Sequence, residues 1–597
     1  MDISEVNINV SNYESVIKEI SPCQSSIVVS TPFQIDCLSK PYSFSVDDEN
    51  KYEYINRVLI SLSDRLKDGG VLFIYGIPQE LPYYAHWLDK NSVMVFKYWI
   101  SLELGNIEKH NGLICSHLGV LMYVRGEKAK YTLNTKDVRV PYTACSACLK
   151  NVKDWGGKKH LINKKGSALS DVWKDFYKKT GEVYDQYVEN LKLNTIDVYN
   201  KSVNMSNSQI PNEIKKRLID LVNVGEPMTI VNCDFKSELL TFDKETEVTV
   251  KSKNKSDSIK LHQPSCDIYL GDCIEIMQEW VEKYPEGCFD LIFADPPYNL
   301  DKNYDNYSDI EIANDYITWC NNWLTLSAKL LKPNGSLLVL NLPKWSISHA
   351  ITLNTLLYLQ NWIVWDALST PKGKIMPAHY SLLYYTKSKD QFTFNSAYSK
   401  IDSPEYCLRS TCIMNRKKNC FDNKVNLSDV WSDIHRIKHK KDRDDHPCQL
   451  PDKLMERIIL MFSNKDDYVF DPFSGTGTTP VMAKKLKRKY AAIDLSKEYV
   501  NIAKRKINEI ENLGDVFKDP TKKVKYPFTK KEIEIYVQEV CTKLGYKPND
   551  SEFTEILKKD MSIAFDENDI TDLFGDIKTA LKSGRIAILN QTTIDFD

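Results

Sequence analysis

Residues 267–300 read DIYLGDCIEIMQEWVEKYPEGCFDLIFADPPYNL. Within them Phe289–Ala294 is short, apolar and rich in strand formers, and it stops at Asp295-Pro296-Pro297-Tyr298. Two successive prolines remove two backbone donors and fix φ, so a strand must end there. The turn that follows carries a carboxylate and an aromatic ring at a strand's carboxyl end, which is where open α/β sheets bind ligands. By itself such a turn is also compatible with a plain strand ending that has no chemistry.

The second decisive stretch, YVFDPFSGTGTT at 468–479, reads as a short strand, a glycine turn and the start of a helix continuing through VMAKKLKRK. Gly475 and Gly477 allow close backbone approach to a ligand at a helix N-terminus. The Gly-Lys-Ser/Thr ending of a phosphate-binding loop is absent. Next comes KYAAIDLS, a strand ending in Asp494, placed as the acidic residues of dinucleotide sites are placed for a ribose diol. Together these stretches predict a nucleoside-cofactor pocket, with Asp494 against the ribose and the glycine turn beneath the amino-acid part.

In this pairing the chain resembles the DNA adenine-N6/cytosine-N4 methyltransferases, with DPPY as catalytic motif and DPFSGTG as cofactor motif. The catalytic motif comes first, which is the permuted order called the β class. That order, and the aspartate that leads the loop, distinguish it from protein-glutamine and RNA methyltransferases with an Asn-Pro-Pro-Tyr-type loop. The resemblance covers roughly residues 265–510 and extends to Gly271-Asp272, to LKPNGSLLVL (331–340) and to HPCQLPDKLMERII (446–459). It implies an α/β, Rossmann-like S-adenosylmethionine-dependent fold. The implied cofactor residues are Asp272, Asp471, Phe473, Gly475, Gly477, Thr478 and Asp494; the implied catalytic residues are Asp295, Pro296, Pro297 and Tyr298. The substrate implied is double-stranded DNA with the target base flipped out. Asp295 and the Pro296 carbonyl would hold its amino group, and Tyr298 would stack on its ring. An aspartate-led loop favours adenine N6, with cytosine N4 as the alternative. A different class of function, a non-catalytic DNA-binding regulator on a decayed methyltransferase fold, is disfavoured by the intact motifs.

Working outward, 387–445 occupies the family's usual slot for target recognition. Asn415 and the basic cluster Arg436, Lys438, Lys440, Lys441 and Arg443 are the candidate DNA contacts, interleaved with His435 and His439. A solvated charged loop is the plainer alternative. Tyr304, Tyr307, Trp319 and Trp323 recur near the catalytic loop and are read as core, without an assigned role.

The first 250 residues repeat the pattern. LKDGGVLFI (66–74) echoes LKPNGSLLV (331–339), SHLGVLMYVRG (116–126) echoes AHYSLLYYTKS (378–388), SALSDVWKDF (167–176) echoes VNLSDVWSDI (425–434), and QIPNEIKKRLIDL (209–221) echoes QLPDKLMERIILM (449–461). The order is kept while the separation drifts from 265 to 240 positions. Opposite the catalytic loop this half reads VVSTPFQ: Ser30 stands for Asp295, Thr31 for the first proline and Phe33 for Tyr298. Opposite DPFSGTG it reads MTIVNCDF, with no glycine turn. The expected organisation is therefore a degenerate methyltransferase-like domain (1–255), a catalytic domain (256–515) and a lysine-rich, mostly helical C-terminal region (516–597). The first half is expected to recognise DNA or to stand in for a second subunit. In the slot equivalent to the recognition region, Cys145-x2-Cys148 with His160 forms a partial zinc pattern; no second CxxC follows at ribbon spacing, so reduced structural cysteines are the alternative. No catalytic metal is expected.

With 597 residues, two or three domains are expected. A net charge of −2 leaves no global field for nucleic acid, so any DNA surface must be local. The start MDISEVNINV has no signal-peptide pattern, no apolar run is long enough to span a bilayer, and fifteen scattered cysteines suit reduced thiols; cytoplasm is the expected location, without a membrane partner. A restriction endonuclease or defence-system subunit, where there is one, is expected as a separate chain.

Overall fold

Two twisted sheets, one from each half of the chain, organise the protein, seen here in a computed structural model. The structure describes residues 3–512 apart from 45, 108–111, 141, 143–144, 146, 151, 153–162, 164, 175–209, 223–227, 236–262, 300–302, 305–306, 309–312, 368–373, 403–405, 408, 419–423 and 437–449. The C-terminal region expected at 516–597 lies outside the described residues. So do His160, Lys438, Lys440, Lys441 and Arg443.

The first sheet uses β1 (Ile3–Ile8), β2 (Gln24–Ser30), β3 (Leu66–Gly76), β4 (Met94–Ile107), β5 (Cys115–Arg125), β6 (Val172–Trp173) and β7 (Met228–Cys233). Its order is β1-β7-β2-β3-β5-β4-β6. The second half supplies β8 (Ile268–Leu270), β9 (Phe289–Ala294), β10 (Asn303–Tyr304), β11 (Tyr307–Ser308), β12 (Leu331–Asn341), β13 (Tyr358–Asp366), β14 (His379–Thr386), β15 (Lys400–Asp402), β16 (Lys424–Asn426), β17 (Val430–Trp431), β18 (Tyr468–Asp471) and β19 (Lys489–Asp494). Strands β10 and β11 pair only with each other, as do β15 and β16; the rest form one sheet ordered β17-β13-β14-β12-β9-β18-β19-β8. Apart from β14, which runs antiparallel to both of its neighbours, β12 and β13, the strands of this sheet pair in parallel. Strand β9 is central, flanked by β12 and β18, and its run of apolar residues is buried on both faces as a central parallel strand requires.

The internal repeat extends to the pairing register. Ile27 faces Leu72 across β2 and β3, and Ile292 faces Leu337 across β9 and β12. Trp99 faces Leu121 where Trp362 faces Leu383, and Leu102 faces Trp173 where Trp365 faces Trp431. Even the irregularity in β4, between Phe96 and Tyr98, recurs in β13 between Leu359 and Asn361. The halves differ at the cofactor edge. Strand β1 pairs with β7 at the position that β19 holds beside β18, and among the described residues nothing in the first half matches β8.

Equivalent surfaces of the two halves meet each other. The Trp99 and Trp362 rings stack at 4.1 Å between centroids, tilted by 14°. Asp171 Oδ1 accepts the backbone N–H groups of Ala378 and His379, while the equivalent Asp429 Oδ1 accepts the N–H and hydroxyl of Ser116. Ser170 bridges Met376 as Ser428 bridges Ile114. Such reciprocity is the mark of an isologous contact about a two-fold axis, here between halves of one chain. One buried apolar cluster runs from Ile27 and Leu72 through Trp99 to Ile292 and Leu337, and residues Met1–Asn512 form one compact unit. No helix among the described residues is long and apolar enough to cross a membrane.

Candidate active site

The loop 295–298 leaves the sheet at the carboxyl end of β9, and its backbone is held from several sides. Tyr316, on the helix Ala313–Leu330, donates its hydroxyl to the Pro297 carbonyl at 2.6 Å. Asn341, the last residue of β12, donates to the Tyr316 hydroxyl at 3.1 Å, and Trp345 Nε1 donates to the Tyr298 carbonyl at 2.8 Å. The chain then turns through Asn299 at φ +51°, a left-handed conformation that asparagine tolerates. Among the described residues no donor reaches the Pro296 carbonyl. Tyr316, Asn341 and Trp345 carry no signal in the sequence because their spacing from the loop is ordinary; only the folded sheet brings them to it.

Tyr298 is placed differently from its expected stacking role. Its side chain is buried, it packs against Tyr380 with centroids 5.8 Å apart, and its hydroxyl donates to Asp295 Oδ1 at 2.5 Å. Of the tryptophans read as core, Trp323 is fully buried; both it and Trp319 pack against Phe473, at 5.0 and 5.4 Å. They join the catalytic loop's supporting helix to the glycine turn.

That turn connects β18 to the helix Thr478–Lys485, where Thr478 is the first residue. Gly475 and Gly477 have φ of +52° and +86°, and Gly477 caps the helix. A Cβ on Gly477 would stand 2.5 Å from the Ala503 Cβ, so both its angle and the space demand glycine. Asp471 is almost wholly buried. It accepts from the Phe473 N–H at 2.9 Å and from the Thr479 hydroxyl. Expected to contact a cofactor, it lies almost wholly buried and accepts from its own turn, which it shapes. Burial pushes its carboxyl up to about 7, against the two hydrogen bonds.

Asp494 ends β19 and ties two loops together, accepting the N–H of Gly475 on Oδ2 and that of Ser496 on Oδ1, both at 2.8 Å. Burial raises its carboxyl to about 6, with the two amides pulling the other way. Asp272 caps the helix Cys273–Lys283 by accepting from the N–H groups of Ile274 and Glu275. Three features of this rim fit a bound nucleoside cofactor. Leu270 and Leu495 are large apolar side chains left about half exposed at the ends of the neighbouring strands β8 and β19. The Ser474 hydroxyl, inside the turn, is buried without a hydrogen-bond partner among the described residues. Asp494, the pairing partner of Leu270, accepts from the Gly475 N–H of the same turn.

Of the expected DNA contacts, Asn415 is exposed on the helix Ser410–Lys418. Arg436 is turned inward: it donates to the Tyr380 hydroxyl at 2.7 Å and lies over that ring at 5.5 Å. Through Tyr380 it braces Tyr298. In the first half, Ser30, Thr31 and Phe33 are all buried; Thr31 donates to the Tyr75 carbonyl, and Phe33 packs on the Tyr75 ring. The position equivalent to the catalytic loop is sealed.

A largely parallel sheet thus carries an acid-led loop at the end of β9 and a glycine turn at the end of the neighbouring β18. Residues 289–505 match the family described as DNA methylase, and 452–573 match D12 class N6 adenine-specific DNA methyltransferase. The chain is 36% identical over 261 residues to the type II methyltransferase M.BamHI of Bacillus amyloliquefaciens, covering 43% of this chain and 61% of that protein. It is 31% identical over 306 residues to the type II methyltransferase M.HpaI of Haemophilus parainfluenzae, covering 47% of this chain and 94% of the relative. The DNA adenine methyltransferase YhdJ of Escherichia coli (strain K12) is 29% identical over 237 residues, with 38% and 79% covered. Among solved structures the M1.HpyAVI–SAM complex matches 40% of this chain and 98% of its own, at 24% identity and a TM-score of 0.29. The chain belongs to the DNA methylase family.

Proposed function

We propose that this protein transfers a methyl group from S-adenosylmethionine to the N6 amino group of adenine at a specific sequence in double-stranded DNA. The observation that carries this reading is the division of acceptors in the loop 295–298. The Pro297 and Tyr298 carbonyls are taken by Tyr316 and Trp345, leaving the Pro296 carbonyl beside the Asp295 carboxylate. An exocyclic amine has two N–H groups and a lone pair delocalised into its ring. Two neighbouring acceptors hold both hydrogens, favour a tetrahedral nitrogen, and stabilise the positive charge that grows as the N–C bond forms. The amine competes with the Tyr298 hydroxyl for Asp295, so binding of the base releases that side chain. The Tyr298 ring, once turned out, offers the face on which a flipped base stacks.

S-adenosylmethionine supplies a methyl group already activated by its sulfonium. Asp494 would take the ribose hydroxyls, Leu270 and Leu495 the faces of the adenine ring, and Asp272 its polar edge. The backbone of 473–478, shaped by Asp471 and the two glycines, would hold the amino-acid part. As methyl arrives the nitrogen becomes cationic, and Asp295 is the base placed to accept the proton it loses. The adenine reading rests on the aspartate that leads the loop, on the D12 class match and on the resemblance to YhdJ.

The first half, with its sealed loop and no glycine turn, takes the place of a second subunit. The reciprocal Asp171 and Asp429 contacts support this. A restriction endonuclease or defence-system subunit reading the same site would be a separate chain. Asp295→Ala tests the catalytic assignment: tritiated methyl transfer to DNA is expected to be lost while calorimetric cofactor binding persists. Retained turnover would overturn it.

A further inference from the structure

We propose that Cys145, Cys148, Cys407 and Cys412 form a structural zinc site that joins the two halves of the chain. The four sulfurs lie within 4.8 Å of one another. Cys145 Sγ is 3.8 Å from Cys412 Sγ, and Cys148 Sγ is 3.6 Å from Cys407 Sγ. Both separations are far beyond a disulfide bond of about 2 Å. They match the edge of about 3.8 Å that a tetrahedron with Zn–S bonds of about 2.3 Å must have.

The surroundings suit four thiolates around a divalent ion. The Cys407 N–H donates to Cys145 Sγ at 3.3 Å, the kind of backbone donation that orients a ligating thiolate. Four thiolates and Zn2+ carry a net charge of −2. One turn after Cys412 on the same helix face, Arg416 is buried, stacked over Tyr406 at 4.5 Å, with Nε and Nη1 unpartnered among the described residues. A buried guanidinium without a carboxylate is costly unless a negative group lies near it. The proposed site supplies that group. Soft thiolates select zinc over harder divalent ions, and four protein ligands leave no open position, so the metal is structural.

The ligands also obey the internal two-fold. Cys145 and Cys148 come from the loop that follows β5, and Cys407 and Cys412 from the segment that follows β14, the equivalent strand. Each half contributes two. The spacings Cys-x2-Cys and Cys-x4-Cys are each incomplete, and about 260 residues separate them. The metal would thus pin the helix Ser410–Lys418, with Asn415, to the first half.

Elemental analysis of the full-length chain, purified without chelators and dialysed against metal-free buffer, is expected to find one zinc per chain. Cys145→Ser and Cys407→Ser should each lose it, although they stand in different halves. Because either variant can misfold, the wild-type protein is also titrated with an organomercurial: once exposed thiols such as Cys23 and Cys266 have reacted, four further thiols consumed per zinc released is the expected ratio. A cobalt-substituted chain should show the intense sulfur-to-metal charge-transfer band of tetrahedral thiolate coordination. A wild-type chain without zinc, or variants that keep it, or zinc released without thiol consumption, would each overturn the proposal.

Discussion

Asp494 is the residue whose ionisation the cofactor must read. Its folded pKa of about 6 lies above the usual aspartate value, because burial outweighs the amides of Ser496 and Gly475. A carboxylate accepts two ribose hydroxyls only when ionised. Cofactor affinity is therefore expected to be full above pH 7 and to weaken as pH falls through about 6, approaching about tenfold per unit. Titration calorimetry across pH 5–8 checks this; Asp494→Asn should bind weakly with a flat profile. The raised pKa has the opposite sign for folding. The folded state keeps this proton to higher pH than the unfolded chain does, so Asp494 destabilises the cofactor-free protein as pH rises from about 4 to about 6. At the catalytic loop, Tyr316→Phe removes one hydrogen bond to the Pro297 carbonyl. It is expected to lower kcat by about tenfold, the worth of one well-placed bond, without changing the KM for S-adenosylmethionine.

At the scale of elements, much of the second half was legible. Strand β9 ends where Pro296 and Pro297 forbid further pairing, and the strand–turn–helix around Gly475 and Gly477 follows from their φ angles. What local sequence could not carry was convergence. Asp471 reads as a cofactor ligand beside its glycine turn, yet it lies almost wholly buried and accepts from that turn. Arg436 reads as part of a basic run, yet its guanidinium lies on Tyr380 behind Tyr298. Cys145 and Cys148 looked like half of a site because the other half is a whole domain away in sequence. The turn itself yields a direct check. Gly477→Ala places a Cβ against Ala503 at φ +86° and is expected to cost about 1–3 kcal/mol of stability and most cofactor affinity. A thermal melt with and without S-adenosylmethionine reads both effects. An unchanged ligand-induced rise in Tm would show that the turn does not hold the cofactor.

At the scale of the whole molecule, the two halves of the chain repeat one strand arrangement, and only the second carries the acid, the prolines and the glycine turn. Registers, a strand irregularity, the Trp99–Trp362 stack and the Asp171 and Asp429 contacts all repeat across the two-fold, so the halves diverged at the site while keeping the contact. Ser30→Asp is therefore expected to restore nothing: the loop is buried, and the sequence at and after β7 lacks the glycine turn. A second S-adenosylmethionine bound per chain in that variant, measured calorimetrically, would contradict the reading. Adenine methylation by Asp295 is tested most directly by nucleoside mass spectrometry, with methylation-aware sequencing, of DNA from cells expressing either the native chain or Asp295→Ala. N6-methyladenine in one sequence motif is expected with the native chain and none with the variant. N4-methylcytosine in its place, or N6-methyladenine that survives the loss of Asp295, would contradict it.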